Sequence, residues 1–206
     1  MNYLDVIKSI DHIIKTHNNL NDNNCILVNG EWGIGKTYAI NQWIKSNNDV
    51  YNIKYISVFG KSKARDIENA ILIKLAGLVD IKASGEDKNI KSRFNLMVRG
   101  IGDVVLQVLS NKTGIAFEAA EYVKNISVEE FPDPESKGKK TIICIDDLER
   151  KSDIKIADLL GLIERTTQNY NVIVIANAKQ FTSEDRIIFD RYREKVIDYE
   201  FVIDKI

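Results

Sequence analysis

The decisive stretch of the sequence is Cys25-Ile26-Leu27-Val28-Asn29-Gly30-Glu31-Trp32-Gly33-Ile34-Gly35-Lys36-Thr37. Its apolar beginning predicts a short buried strand, and residues 37 to 46 predict a helix. Between them lies the spacing Gly-x-x-x-x-Gly-Lys-Thr, the pattern of a phosphate-binding loop, or P-loop. Glycine permits the close backbone approach and the positive φ angles that such a loop needs. The sequence therefore predicts a strand, a P-loop and a helix in that order.

The loop pattern assigns chemistry to individual residues. Lys36 is expected to reach the β- and γ-phosphates of a nucleotide, and Thr37 to offer its hydroxyl to Mg²⁺. The following helix is expected to point its N-terminus at the anion. The alternative is a glycine turn with an incidental lysine, but the flanking strand and helix favour nucleotide binding. The predicted nucleotide-binding residues are Gly30, Glu31, Trp32, Gly33, Ile34, Gly35, Lys36, Thr37 and Tyr38.

A second apolar run, residues 141 to 145, ends in the two carboxylates Asp146 and Asp147. We expect Asp146 to hold Mg²⁺, largely through a water, because Mg²⁺ keeps much of its hydration shell. Asp147 is the predicted catalytic residue that orients or deprotonates an attacking water, and Glu149 is its rival as base. The alternative is a helix N-cap with an acid favoured by the helix dipole. The P-loop upstream favours the interpretation as a Walker B strand.

Three further residues are candidates for catalytic roles, together with Lys36. Asn177 ends the predicted strand 171 to 176, where the crevice of such a sheet lies, and could contact the γ-phosphate or the water. The alternative is an asparagine turn. Arg191 and Arg193 could serve as an arginine finger for a neighbouring subunit, or belong to a solvated helix end. Arg150 and Arg165 share this ambiguity.

The chain alternates between predicted strands and helices. Such alternation is typical of a parallel sheet in an α/β fold, and near-continuous apolar strands indicate helices on both faces. Residues 85 to 134 interrupt the alternation and are interpreted as a helical insertion between the second and third strands. The predicted strands are 25–28, 50–59, 141–145, 171–176 and 196–203, and the predicted helices are 3–17, 37–46, 65–79, 153–168 and 183–194.

Composition excludes several classes of protein. With 29 Lys+Arg against 30 Asp+Glu in 206 residues, the net charge is -1, so there is no strong nucleic-acid signal. The basic run at 137–140 is interpreted as a solvated loop. No segment approaches the roughly 20 apolar residues of a membrane span, and no secretory signal begins the chain. We therefore expect a cytoplasmic protein whose two cysteines, Cys25 and Cys144, are buried thiols.

The P-loop and the run Ile145-Asp146-Asp147-Leu148-Glu149-Arg150 together resemble the KAP family of P-loop NTPases. In that family the loop commonly carries Trp-Gly, as at Trp32-Gly33, and the acidic strand commonly ends in Asp-Asp-Leu-Asp-Arg. Glu149 stands in place of the third acid. The resemblance implies a three-layer P-loop NTPase fold related to the AAA+ and STAND groups, with strand order 5-1-4-3-2. It also implies ATP and Mg²⁺ as cofactors.

The resemblance carries expectations about biological context as well. Several bacterial members resemble components of phage defence or signalling. Related ATPases continue into a helical lid or effector region after the fifth strand, whereas this sequence ends at residue 206. We therefore expect residues 1 to 206 to be one P-loop core that is a truncated member or a fragment of a longer protein. A homo-oligomer or a C-terminal effector region is the expected partner.

These observations leave competing functions. The leading hypothesis is an Mg²⁺-dependent ATPase that acts as a conformational or assembly switch. The alternative is a nucleotide-gated protein-interaction module with little or no hydrolysis, whose partner surface would include the apolar stretch 101–109. A small GTPase is a weaker option, because Asn177-Ala178-Lys179-Gln180 lacks the Asn-Lys adjacency and the closing Asp of a guanine-reading motif. A small-molecule kinase also uses a P-loop, and no phosphoacceptor site is recognisable.

Overall fold

The computed structural model describes residues 1–20, 22–75, 126–131 and 138–204. The described segments form a five-stranded sheet with helices on both faces. In chain order the elements are α1 (Tyr3–Leu20), β1 (Cys25–Gly30), α2 (Lys36–Asn47), β2 (Asn52–Ser57), α3 (Ala64–Leu75), β3 (Thr141–Asp146), α4 (Ile156–Asn169), β4 (Asn171–Ala176), α5 (Ser183–Val196) and β5 (Tyr199–Ile203). The predicted alternation is confirmed.

The strands of the sheet are parallel and lie in the order β2-β3-β4-β1-β5. This is the order implied by the family resemblance, given from the opposite edge. The carboxyl end of β1 therefore lies between those of β4 and β5, and β3 lies one strand further along. Because parallel strands end at one edge, the P-loop after β1 and the carboxylates after β3 face the same crevice.

Two apolar clusters cover the two faces of the sheet. One face packs α1 and α2 through residues such as Ile10, Ile14 and Trp43. The other packs α3, α4 and α5 through residues such as Ile71 and Leu159. β3 and β4 are buried along their whole length, because helices cover both of their faces. This is the three-layer arrangement that the sequence predicts.

Several element boundaries differ from the prediction. β2 is shorter than predicted: Val50 lies in a turn and Phe59 is exposed beyond the strand. β5 begins at Tyr199 rather than at residue 196, because α5 continues to Val196 and buries that side chain. A 3-10 turn at Leu148–Arg150 precedes α4, which begins at Ile156 rather than near residue 153. These shifts change the ends of elements and leave their order intact.

The predicted helical insertion falls mostly outside the described residues, as does the end of the helix predicted for 65–79. Residues 126–131 are described, and there Val128 and Phe131 are buried in the core. Glu68 of α3 accepts a hydrogen bond from the Val128 N–H at 3.1 Å. Within the described segments, every helix falls short of the length and apolar character that a membrane crossing requires.

Candidate nucleotide-binding site

The P-loop leaves β1 and leads directly into α2. Gly35 is the N-cap of α2 with φ 95°, and Gly33 has φ 74°, both in the left-handed region that favours glycine. The loop follows the buried end of β1, and the first residue of α2 is Lys36. The first backbone N–H groups of α2 lack intrahelical partners, so they are available to an anion.

Lys36 is buried, with 7% of its surface exposed. Its Nζ donates hydrogen bonds to the carbonyl oxygens of Gly30 at 2.6 Å and Glu31 at 3.0 Å. Burial lowers the pKa of the Lys36 ammonium below its ordinary value, and the carboxylates at the end of β3 oppose that shift. The lysine is therefore folded against its own loop and lies within electrostatic range of the acidic residues.

Thr37 and Asp146 meet across the site. The Thr37 hydroxyl donates a 2.9 Å hydrogen bond to Asp146 Oδ2, and Asp146 Oδ1 accepts the Asp147 N–H at 2.7 Å. The Tyr55 hydroxyl also donates to Asp146 Oδ2. Burial raises the pKa of Asp146, and the hydrogen bonds from Tyr55 and Thr37 oppose that shift. The structure thus joins the two residues predicted as metal ligands.

Asp147 occupies a left-handed backbone conformation with φ 63°. Its carboxylate accepts a 2.8 Å hydrogen bond from the Ser57 hydroxyl and lies 3.3 Å from the Nε of Arg150. The side chain is partly exposed beside the P-loop. Arg150 therefore lies at the site, and Arg165 pairs elsewhere, with Glu129 at 3.2 Å.

Glu149, the rival base, bridges two parts of the crevice. Its Oε1 accepts a 2.7 Å hydrogen bond from the Trp32 indole, and its Oε2 accepts the Asn177 N–H at 3.1 Å. The Arg150 guanidinium lies 5.6 Å from the centroid of the Trp32 ring, a cation–π distance. The tip of the P-loop is thereby tied to the ends of β3 and β4.

Asn177 lies at the end of β4 and is buried. Within the described residues its Oδ1 has no hydrogen-bond partner. Asn177 also lines a cavity of about 300 Å³ that borders the P-loop on the β5 side. The cavity is lined by Asn29, Gly30, Glu31, Ile34, Asn177, Lys179, Val202, Ile203 and Asp204. A buried amide oxygen without a partner, on a residue that lines the cavity, is consistent with the prediction that Asn177 contacts a ligand.

The remaining predicted residues lie at the periphery. Tyr38 is exposed and packs edge-on against Tyr3, with ring centroids 6.2 Å apart. Arg193 pairs with Glu200 at 2.7 Å, and Arg191 is exposed on α5. The structure brings together Lys36, Thr37, Asp146 and Asp147. Among the described residues, no hydrogen bond or ion pair joins Arg191 or Arg193 to these four. Their role as a finger stays a prediction.

Tyr55 and Ser57 are site residues that the sequence analysis does not predict. Both lie on β2 and donate to the two carboxylates at the end of β3, Tyr55 to Asp146 and Ser57 to Asp147. A signal was present: the implied strand order makes β2 the neighbour of β3, so polar side chains near the end of β2 lie beside Asp146. The register Ser57↔Asp146 shows that relationship directly.

A comparison with protein families supplies the identity of the fold. The model for the KAP family P-loop domain matches residues 3–205. This chain belongs to the KAP family of P-loop domains. The resemblance seen in the two motifs is thereby confirmed over nearly the whole chain. Membership of a KAP P-loop NTPase family supports nucleotide binding at the loop.

The comparison with solved structures gives matches of low sequence identity to this KAP domain. The crystal structure of Cdc6p from Pyrobaculum aerophilum is 11% identical with a TM-score of 0.47, and the match covers 97% of this chain and 44% of that one. The Walker-type ATPase paby2304 of Pyrococcus abyssi is also 11% identical with a TM-score of 0.47, over 92% and 51%. The KAP chain thus spans about half the length of either protein. No curated protein matches its sequence significantly.

Proposed function

We propose that this KAP domain binds ATP with Mg²⁺ and hydrolyses it. The observation that carries the proposal is the 2.9 Å hydrogen bond from Thr37 to Asp146, which joins the P-loop to the acidic strand end across 109 residues. Both groups offer oxygen atoms, which are the ligands that Mg²⁺ prefers, and Mg²⁺ commonly takes only one or two protein ligands besides phosphates and waters. The donor set therefore fits that metal.

The surrounding residues suit a nucleotide. Lys36 and the backbone N–H groups at the start of α2 present positive charge to phosphates. The cavity beside the loop, about 300 Å³, offers space comparable to a small ligand pocket. When bound, Mg²⁺ neutralises charge on the phosphates and orients them. Thr37 and Asp146 are the residues that would hold it.

Asp147 is the proposed base, because its carboxylate is partly exposed and acts electrostatically on Lys36. Glu149 is the rival, and its two oxygens accept hydrogen bonds that tie the P-loop to the end of β4. The oxygens of Asp147 are engaged as well, by Ser57 and Arg150. Asn177 is proposed to accept a hydrogen bond from the attacking water with its unpartnered Oδ1, or to donate one to the γ-phosphate from its Nδ2. Catalysis of this kind depends on positioning and charge neutralisation more than on covalent chemistry.

The alternative is a nucleotide-gated interaction module with little hydrolysis. One observation favours it: the Asp147 carboxylate is already engaged by Ser57 and Arg150. In this conformation its oxygens are therefore not free to activate a water. Conformational switching, homo-oligomerisation, a C-terminal effector region, a cytoplasmic location and participation in phage defence or signalling stay predictions from the sequence and the family resemblance.

The deciding experiment follows phosphate release from ATP and Mg²⁺ across a range of protein concentrations, with Lys36→Ala as the control. Turnover that rises more than linearly with concentration would indicate an assembling ATPase, and Arg191→Ala and Arg193→Ala would then be compared. Nucleotide binding without phosphate release would instead support the interaction module. Release that is unchanged by Lys36→Ala would contradict the assignment of the site.

A further inference from the structure

The Asp146 carboxylate receives a hydrogen bond from a strand outside both nucleotide-binding motifs. Its Oδ2 accepts from two hydroxyls, those of Thr37 and Tyr55, and its Oδ1 accepts the Asp147 N–H at 2.7 Å. Only 3% of the surface of Asp146 is exposed, so water cannot replace these donors freely. A buried carboxylate depends on such partners to stay in one orientation.

Tyr55 reaches Asp146 from β2, an edge strand of the described sheet. In the parallel register Tyr55 lies opposite Cys144, two residues before Asp146 on the same face of β3. The ring packs against the apolar cluster beneath α1 and α2, and the Tyr55 carbonyl accepts a 2.5 Å hydrogen bond from Lys74 of α3. Both the ring and the backbone of Tyr55 are therefore fixed, which aims its hydroxyl at the carboxylate.

The two hydroxyls on Asp146 differ in their relation to a bound nucleotide. Thr37 belongs to the P-loop, and its hydroxyl oxygen is the atom offered to the metal in the proposed site. Tyr55 belongs to the sheet and not to the P-loop. Its hydrogen bond to Asp146 therefore does not use the Thr37 hydroxyl, which the metal and nucleotide would need. We propose that Tyr55 is a positioning residue whose hydroxyl holds the Asp146 carboxylate in the orientation that receives Mg²⁺. The inference rests on the proposed ATPase site.

The test measures nucleotide affinity with and without metal, and needs no turnover. A fluorescent ATP analogue is titrated into the wild-type chain, Tyr55→Phe and Tyr170→Phe, in EDTA and in Mg²⁺. Tyr170→Phe is a matched control, because it removes a buried tyrosine hydroxyl that donates to the Phe131 carbonyl at 2.7 Å, away from the carboxylates. Both substitutions keep the aromatic ring and remove one hydroxyl.

We expect Mg²⁺ to tighten binding by the wild type and by Tyr170→Phe to the same extent. In Tyr55→Phe the factor by which Mg²⁺ increases nucleotide affinity should be about tenfold smaller. This is the lower end of what it costs to remove a hydrogen-bond partner of a metal ligand. Affinity in EDTA should stay within about twofold, because Tyr55 is a residue of β2 and not of the P-loop, and Tyr55→Phe leaves the phosphate-binding groups in place. A titration over Mg²⁺ concentration should show the same loss as a higher half-saturating concentration.

The outcomes separate this inference from the proposed function. A wild type that responds to Mg²⁺ and a Tyr55→Phe variant that responds equally would overturn the role of Tyr55 alone. A wild type without any metal response would overturn both. Should Tyr55→Phe fold poorly, Tyr55→Gln and Tyr55→Met provide a second pair of similar length, of which only Gln donates a hydrogen bond. A larger metal response in Gln than in Met supports the inference, and equal responses overturn it.

Discussion

The Trp32 indole Nε1–H donates a 2.7 Å hydrogen bond to Glu149 Oε1, although the two residues are 117 positions apart. The other oxygen of Glu149 accepts the Asn177 N–H at 3.1 Å. One carboxylate therefore links the tip of the P-loop to the ends of β3 and β4. This arrangement suits a group that holds the crevice together, because its two hydrogen bonds join residues from separate elements of the fold.

Substitution of the two rival carboxylates should separate positioning from catalysis. Asp147→Asn is expected to retain nucleotide binding and to lower phosphate release by about 100-fold or more, the usual contribution of a general base. Glu149→Gln is expected to lower it by about tenfold, because the substitution removes one hydrogen bond to a charged group, worth about 1.5 kcal/mol. The measurement is steady-state phosphate release at saturating ATP, with nucleotide affinity determined for each variant. A larger loss in Glu149→Gln than in Asp147→Asn would reverse the two roles.

The Glu149→Gln variant should also change tryptophan fluorescence. The amide has the size of the carboxylate, but only one of its two terminal atoms, the oxygen, can accept a hydrogen bond. It therefore cannot accept from Trp32 with one terminal atom and from Asn177 with the other. The emission of Trp32, which is half exposed, should therefore change, whereas the buried Trp43 should contribute a constant background. Repeating the substitution in a Trp32→Phe background is the control. A change of equal size in that background would contradict the contact.

Lys36→Ala should weaken nucleotide binding by about 10- to 100-fold, because a hydrogen bond to a charged group is worth about 1.5 to 3 kcal/mol. Isothermal titration calorimetry with ATP is the measurement. Lys15→Ala is the matched control: this lysine of α1 pairs with Asp11 at 2.6 Å, and its side chain is 60% exposed. Exposed ion pairs contribute little, so that variant should bind ATP nearly as the wild type does. Equal losses would show that the net charge of the chain, rather than Lys36, sets affinity.

Gly30→Ala should destabilise the fold. A Cβ at residue 30 would lie 2.9 Å from the backbone oxygen of Ile203 in β5, and a backbone atom cannot move aside as a flexible side chain would. The expected loss is about 1 to 3 kcal/mol of unfolding free energy, typical of overpacking. Gly161→Ala in α4 is the control, because a Cβ there meets only the end of Arg165 at 3.6 Å.

The two glycine variants should shift stability in opposite directions. Within a helix, alanine is favoured over glycine by about 0.5 to 1 kcal/mol, so Gly161→Ala should stabilise the chain. Urea unfolding monitored by circular dichroism gives both values in one series. A Gly30→Ala variant as stable as the wild type would mean that β1 and β5 can separate at the P-loop without cost.

Cys25 and Cys144 should resist thiol reagents while the chain is folded. Both are fully buried, and burial raises the pKa of each thiol above its ordinary value, which suppresses the reactive thiolate. Ellman's reagent at mildly alkaline pH should label neither thiol in native buffer and both in denaturant. The labelling rate of Cys25→Ser and Cys144→Ser assigns each thiol. Rapid native labelling of either residue would contradict its burial.

Patterns within short stretches of sequence predict the P-loop and β3. The glycine spacing and the apolar strand before it predict the loop and put Lys36 and Thr37 where it joins a helix, as the structure has them, because loop geometry depends on residues adjacent in sequence. The apolar run 141–145 predicts β3 and its acidic end for the same reason. The ends of β2 and β5 were less predictable. Val196 is a β-branched residue of the type enriched in strands, yet tertiary packing buries it at the end of α5.

The succession of strands and helices, the P-loop and the acidic strand end can be predicted from the amino-acid sequence, since they follow from periodicity and from glycine and carboxylate positions within short stretches. The strand order came from the family resemblance. The three-dimensional structure adds that Tyr55 and Ser57 hold the two carboxylates, that Glu149 ties Trp32 to Asn177, and that Gly30 abuts Ile203. These contacts join residues far apart in the chain. They depend on the register of parallel strands and on side-chain direction, which no local pattern specifies.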